Sequence, residues 1–271
     1  MTDGPRSLPP EVDMTTPSAA RLYDFYLGGK DNFPADRQAG NDLLARIPEV
    51  RTMAQANRLW LRRVVRYLVA EAGVRQFIDI GSGLPTADNT HEIAHRHDPQ
   101  ARVVYVDHDP IVLAHARALL AEDPVTTDVV QADLREPHTI LRAPQTQRLI
   151  DPEQPVAILL VAVLHFLRDQ DGPHEILAQL REELAPGSFL AVSHVENDTM
   201  PERAELLEQL YAATSSPGQT RGYAEIAGFF EGFELVDPGL CHVSDWRPDP
   251  DEPYYPPEQA WGYGGLGRLA R

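Results

Sequence analysis

Lysine and cysteine are nearly absent from this sequence, and no apolar run in it is long. Of its 24 cationic residues only Lys30 is a lysine, and Cys241 is the single cysteine. One cysteine excludes an intrachain disulfide and fits a reducing compartment, so the expected location is the cytoplasm. The longest apolar run, residues 156–164, lies between Pro155 and His165. A bilayer helix needs ~20 apolar residues, so no membrane span is expected, and the run reads as a buried parallel strand. The chain opens polar and proline-rich, without an apolar signal core. Positive charge is also scarce: 24 Lys and Arg stand against 41 Asp and Glu, a formal −17. Such a surface repels phosphate backbones, which disfavours nucleic acid and leaves a small molecule or a protein as the expected partner. The one candidate for a local basic patch is Arg58, Arg62, Arg63 and Arg66 on one helical stretch. The lone Lys30 is either an ammonium retained against a strong arginine bias or an accident of it.

What is present suits a globular protein. Hydrophobic residues make up 42% of 271, enough for a sizeable core, and the length suits one large α/β domain with extensions. Residues 1–17, with Pro5, Pro9, Pro10 and Pro17, are expected to form a disordered tail. Residues 18–72 are expected to form a helical extension. Tyr23, Phe25, Tyr26 and Phe33 surround Gly28-Gly29, which predicts a short helix, a tight turn and a second helix start. Leu61, Val64, Val65, Leu68 and Val69 then recur at helical spacing up to Gly73. From residue 73 to 271 strands and helices alternate. Strands are expected at 76–80, 103–106, 127–131, 156–164, 188–193, 233–236 and 264–269, and helices at 89–96, 110–120, 172–184, 201–213 and 222–230. This predicts a seven-stranded, mostly parallel sheet with helices on both faces and a ligand beyond the carboxyl ends of its strands. The acidic, aromatic, proline-rich stretch 245–257 is expected as a long loop beside that site.

Three motifs sit at successive strand ends. Phe77-Ile78-Asp79-Ile80-Gly81-Ser82-Gly83 runs an apolar strand into a Gly-x-Gly turn, where glycine permits a sharp bend and close approach of a ligand. Tyr105-Val106-Asp107 places a carboxylate 24 residues past Gly83, a spacing suited to the two ribose hydroxyls of an adenosine. Gln131-Ala132-Asp133-Leu134 supplies a third acid, able to accept a hydrogen bond from an adenine amine or to cap the turn before Pro137. Pro85, two places after Gly83, has no N–H and biases Leu84 toward extended backbone, which disfavours the helix start directly behind the glycines that a dinucleotide pyrophosphate wants. The turn is expected to open through 84–89 before a helix capped by Asn89 or Thr90.

These motifs resemble the cofactor signatures of class I methyltransferases. More narrowly, the chain resembles an actinobacterial S-adenosyl methyltransferase family formerly known only as a domain of unknown function. The resemblance rests on Arg21-Leu22-Tyr23-Asp24, Leu27-Gly28-Gly29-Lys30-Asp31-Asn32-Phe33, Asn57-Arg58, Asp79 to Thr86, Tyr105-Val106-Asp107 and Tyr263-Gly264-Gly265-Leu266-Gly267-Arg268. It implies a Rossmann-like fold, S-adenosylmethionine as cofactor and methyl transfer to an acceptor it does not identify. The residues expected to touch the cofactor are Tyr23, Lys30, Asn32, Arg58, Asp79, Gly81, Ser82, Gly83, Asp107, His108, Asp133 and Leu134.

Residues 23–33 are expected to close over the cofactor as a lid. Tyr23 and Tyr26 are candidates to wall the sulfonium, or else pack as core. Lys30 or Arg58 is a candidate for the methionine carboxylate, and Asp31 or Asn32 for its amine. Asp24 is expected to pair with Arg21 or cap a turn. A general base is needed only if the acceptor must lose a proton, and His165 is the first candidate, with His194 second. No metal is expected; His91, His95 and His97 read as a solvated helix face. A small-molecule methyltransferase is the leading expectation. The alternatives are a non-catalytic S-adenosylmethionine-binding sensor or partner-binding protein, and an NAD-dependent oxidoreductase. Oligomeric state is left open.

Overall fold

A computed structural model of the protein describes residues 13–85, 88–120 and 125–270. Residues 1–12 of the expected tail lie outside the described residues. Its last part, from Asp13 to Pro17, lies against the helices: Arg21 donates to the carbonyls of Asp13 (3.3 Å) and Thr16 (2.6 Å), and Ser215 N donates to Pro17 O (3.0 Å).

Three helices come first: α1 (Ala19–Tyr26), α2 (Pro34–Arg46) and α3 (Val50–Ala70). Ser18 caps α1, and Pro34 opens α2 at a position where its fixed φ is favourable and its missing N–H costs nothing. The α3 stripe Trp60, Leu61, Val64, Val65 and Leu68 is fully buried. Gly73, at φ +71°, reverses the chain behind that helix. Arg21 pairs not with Asp24 but with Asp36 of α2, at 2.7 Å and with both side chains buried. Asp36 also accepts from Ser18 N and Phe33 N, so the pair is hydrogen-bonded as well as charged and clamps α1 to α2.

The chain then runs β1 (Gln76–Ile80), α4 (Thr90–His95), β2 (Arg102–Asp107), α5 (Pro110–Leu120), β3 (Thr127–Gln131), α6 (Pro137–Leu141), α7 (Pro144–Leu149), β4 (Ala157–Val161), α8 (Pro173–Glu182), β5 (Phe189–Val195), α9 (Pro201–Tyr211), α10 (Tyr223–Gly228), β6 (Phe233–Leu235), β7 (Cys241–His242) and β8 (Gly262–Leu269). The sheet order is β3-β2-β1-β4-β5-β8-β6, with β7 also paired to β8. The first five strands of that order are parallel, and β8 runs antiparallel between β5 and β6. Side chains alternate across the sheet: Phe77, Val103, Leu159 and Ala191 join α3 in one core. Ile78, Val104, Ile158 and Leu190 join the α6, α8 and α10 side in the other. Both faces are covered, so the strands read as near-continuous apolar runs. Strand order reverses between β1 and β4, which opens a crevice at their carboxyl ends.

Three features differ from the sequence reading. The apolar run 156–164 does not stay extended: β4 ends at Val161, Ala162 takes φ +56°, and residues 164–166 form a 3-10 turn. His165 therefore sits on that turn, not at a strand end. The short helices α6 and α7 and the two-residue β7 had no expected counterpart; each is too short to set up a periodic pattern. The arginines of α3 form no basic patch, because Arg62, Arg63 and Arg66 pair with Asp88, Glu252 and Asp249. The loop 245–257 is thereby stapled along α3.

Candidate functional site

The carboxyl ends of β1 to β5, the start of α3, and helices α1 and α9 enclose one cavity of about 260 Å³. Its floor is the turn after β1. Gly81 N and Ser82 N donate to Val106 O of β2, at 2.8 and 3.2 Å, which holds the turn against the next strand. Gly81 and Gly83 both take positive φ, +70° and +65°. A Cβ at Gly81 would also collide with Val163, whereas one at Gly83 would meet nothing and would take up free space.

Two buried carboxylates flank this turn. Asp107 accepts from Gly83 N at 3.0 Å and from Asp109 N at 2.9 Å, yet burial still raises its pKa above the usual carboxylate value. Asp79 is pushed up to about 6, again by burial; Thr90, which donates to it at 2.7 Å, and the charge of Arg58 work against that rise. Arg58 lines the cavity and donates to Asp88 O at 2.5 Å. Asp133 lies at the end of β3, half-exposed, accepts from Arg135 N at 2.9 Å, and is followed by the buried Leu134.

The opposite wall is aromatic. Tyr23 and Tyr26 of α1 contribute, as do Phe166, Tyr211 and Trp261. A chain of hydrogen bonds joins the helical part to the sheet here. Tyr23 OH donates to Ala54 O, Asn57 Nδ2 to Tyr23 OH (2.9 Å), Ser193 Oγ to Asn57 Oδ1 (2.6 Å), and Ala162 N to Ser193 Oγ (2.9 Å). The left-handed Ala162 is held by this chain.

His165 lines the same wall. Its Nδ1 is buried without a hydrogen-bond partner, and burial together with the nearby Arg221 charge pushes its pKa down to about 3. His194 meets its ring edge-on at 5.6 Å between centroids. Arg221 donates to His194 Nε2 at 3.1 Å, which leaves His194 Nδ1 to donate to Val195 O at 2.7 Å and fixes a neutral tautomer. Arg221, itself buried, also donates to Leu164 O and Leu167 O on either side of His165, and to Asp169. It thus pins the turn that presents His165. No sequence signal singled out Arg221, because its partners lie more than 25 residues away.

Of the residues expected at the cofactor, Tyr23, Arg58, Asp79, Gly81, Ser82, Gly83, Asp107, His108, Asp133 and Leu134 all line the cavity, and so does the candidate base His165. Lys30 and Asn32 do not. Lys30 is exposed on the turn after α1. Asn32 donates to Asp24 at 2.7 Å and Gly29 O at 3.0 Å, and Asp31 N donates to Asp24, so Asp24 organises this turn. A Cβ at Gly29 would overlap the Asp24 carboxylate, which accounts for that glycine by packing alone. The helix face with His91 and His95 is structural: His91 pairs with Tyr105 OH and His95 with Ala101 O. Among the described residues no three His, Cys, Asp or Glu are grouped for a metal ion.

A family model described as S-adenosyl methyltransferase matches residues 5–270. The chain belongs to that family. Membership brings S-adenosylmethionine as the cofactor, and the site fits it: the glycine turn leaves open space beside two buried carboxylates and an arginine, and among the described residues the next helix starts only at Thr90. Two solved structures of the family resemble the chain over nearly its whole length. A candidate methyltransferase from Thermobifida fusca is 44% identical, with a TM-score of 0.90 over 97% of this chain and 98% of that one. A DUF574 family protein from Streptomyces avermitilis is 41% identical, also at 0.90, over 95% and 99%. A more distant curated relative is a trans-aconitate 2-methyltransferase of Shigella dysenteriae, 26% identical over 175 residues, or 64% of this chain. The chain spans 59% of that relative's length. An O-methyltransferase family protein from Burkholderia thailandensis, 15% identical with a TM-score of 0.52 over 77% of this chain and 55% of that one, shares the fold.

Proposed function

We propose that the protein transfers the methyl group of S-adenosylmethionine to a small-molecule acceptor bound in the same cavity. The observation that carries this is the convergence of Asp79, Asp107 and Asp133 with Arg58 around the turn from Gly81 to Gly83. Asp107 would hold the ribose hydroxyls, and Asp133 the adenine amine, with Leu134 against the base. Arg58 would take the methionine carboxylate. Asp79 replaces Asp31 and Asn32 as the partner for the methionine amine, since neither of those faces the cavity. Residues 18–72 act as the lid and extension of the domain that follows, with Tyr23 and Tyr26 in the roof.

The cofactor supplies an electrophilic methyl carbon. The protein's part is to orient the acceptor and keep water out, which the aromatic wall does. His165, as a neutral imidazole, is placed to receive a hydrogen bond from the acceptor. The tricarboxylate acceptor named for the curated relatives is not carried over: of the two arginines that line the cavity among the described residues, Arg58 is assigned here to the methionine carboxylate and Arg135 pairs with Asp133 and Asp171.

Calorimetric titration with S-adenosylmethionine tests the reading. Folded Asp107→Ala should bind at least tenfold more weakly than the parent protein, and NAD should not bind. Equal affinity in the variant would sink the assignment. Tight binding with no S-adenosylhomocysteine formed from any acceptor would favour a sensor.

A further inference from the structure

The acceptor half of the cavity has a distinct chemistry, and its reading rests on the methyltransferase function proposed above. Phe166 forms its centre, with the His165 ring at 4.3 Å and the Tyr211 ring at 6.1 Å and 39°. Tyr26 and Trp261, both almost wholly buried, complete the wall. Flat rings recognise flat rings through offset and edge contacts. Among the described residues the acid on this wall is Glu208, and it is already spent: its Oε1 accepts from Thr220 N (2.5 Å) and Thr220 Oγ1 (2.6 Å).

Charge narrows the class further. A carboxylate on the acceptor would enter a cavity edged by Asp79, Asp107, Asp109 and Asp133 and find Arg135 paired with Asp133 and Asp171 and Arg58 taken by the cofactor's own carboxylate. A protonated amine would sit beside the cofactor's sulfonium and close to the buried Arg221, and it has no lone pair to attack with. What remains is an uncharged group that donates one hydrogen bond, and the neutral His165 imidazole offers an acceptor for it.

We propose that the acceptor is a planar, uncharged hydroxylated aromatic, held against the wall of Phe166, Tyr211 and Tyr26 rings with its hydroxyl bonded to His165. The phenol oxygen gives a lone pair to the methyl carbon as the carbon–sulfur bond breaks. That bond's electron pair stays on sulfur, which becomes a neutral thioether. The phenolic proton is taken by His165 as the carbon–oxygen bond forms and is released to solvent once the product, an aryl methyl ether, has left the cavity. Arg221 is a positioning residue here, acting through Leu164 O, Leu167 O and His194.

The test uses the full chain loaded with S-adenosylhomocysteine, whose own binding is measured first. Phenol, catechol, 2-naphthol and 2,3-dihydroxynaphthalene are then titrated against 2-naphthoate and tricarballylate by calorimetry. The naphthols should bind at least tenfold more tightly than 2-naphthoate, tricarballylate should give no heat, and Phe166→Ala should weaken the naphthols at least fivefold without changing S-adenosylhomocysteine affinity. With S-adenosylmethionine, a naphthol should yield its methyl ether. Failure of S-adenosylhomocysteine to bind would bring down the methyltransferase reading and this inference with it. Normal S-adenosylhomocysteine binding with either carboxylate bound as tightly as the naphthols, or with none of the four phenols bound, would overturn this inference alone.

Discussion

Asp79 should make cofactor binding pH-dependent in a range where a carboxylate is ordinarily silent. Its pKa in the free protein is pushed up to about 6 by burial. If the ionised form is the one that grips the methionine ammonium, affinity falls as Asp79 takes up a proton. The apparent Kd then scales as one plus the ratio of protonated to ionised Asp79, so it is nearly unchanged at pH 7.5 and ~10-fold weaker at pH 5, a cost of ~1.4 kcal/mol. Asp107, raised in the same direction, would steepen the loss. Stability should run the opposite way. Because the folded pKa lies above the unfolded one, the stabilising contribution of Asp79 is complete below the unfolded value and is lost as pH rises through about 6. At neutral pH the buried anion therefore costs the free protein about 3 kcal/mol, from roughly two pK units at 1.36 kcal/mol each. Asp79→Asn should raise Tm at pH 7.5, leave it unchanged at pH 4, and weaken S-adenosylmethionine binding at pH 7.5. Calorimetry between pH 5 and 8 with paired buffers checks both limbs. A wild-type Kd that changes less than twofold over that span, or an Asn variant no more stable than wild type, would refute the reasoning.

Other outcomes follow from the same cavity. Gly81→Ala should destabilise the protein by about 2–3 kcal/mol in thermal melts, since it combines a left-handed φ with a clash against Val163, whereas Gly83→Ala should cost about 1–2 kcal/mol and show its larger effect in cofactor affinity. Arg221→Met should cost about 3 kcal/mol or more, because it leaves Leu164 O, Leu167 O and His194 Nε2 without a donor; a denaturant midpoint unchanged from wild type would show that the arginine is not structural. With His165 pushed down to about 3, the acceptor-side step should show no acid limb near pH 6.5; a kcat profile, taken at saturating cofactor, that falls with an apparent pKa of 6–7 in wild type and flattens in His165→Asn would contradict a neutral, weakly basic ring. Asp36→Asn should loosen α1 from α2 and cost about 3 kcal/mol, as expected for a buried pair that loses one charge.

Much of the floor of the site was legible in the sequence, because its signals are local. Asp79, Gly81, Gly83, Asp107 and Asp133 each sit within a few residues of a strand end, so strand periodicity alone fixes where they point. The roof was less legible. Lys30 and Asn32 lie close in sequence to Tyr23, but the turn organised by Asp24 carries them away from the cavity, and only that turn's three-dimensional path decides which side chains face inward. Arg21 had an acid three residues along and another fifteen along, and nothing in the pattern favours the distant Asp36 over the near Asp24. The end of β4 was misread for a different reason: valine and leucine continue apolar through residue 164, while the break lies in the φ of Ala162, a residue type that gives no warning of it. The arginines of α3 are neutralised by a loop some 190 residues later, a pairing no composition argument reaches.

The two halves of the cavity draw on different stretches of chain. On the proposed reading, the nucleoside is gripped by short turns at residues 79–83, 107–109 and 132–135, while the acceptor faces α1, the 164–166 turn, α9 and the segment after it. Mutations can therefore accumulate in the second set without touching the first. Exchanging residues 207–220 between relatives should redirect substrate choice while the affinity for S-adenosylmethionine stays constant, which makes this scaffold a natural chassis for new methylation specificities.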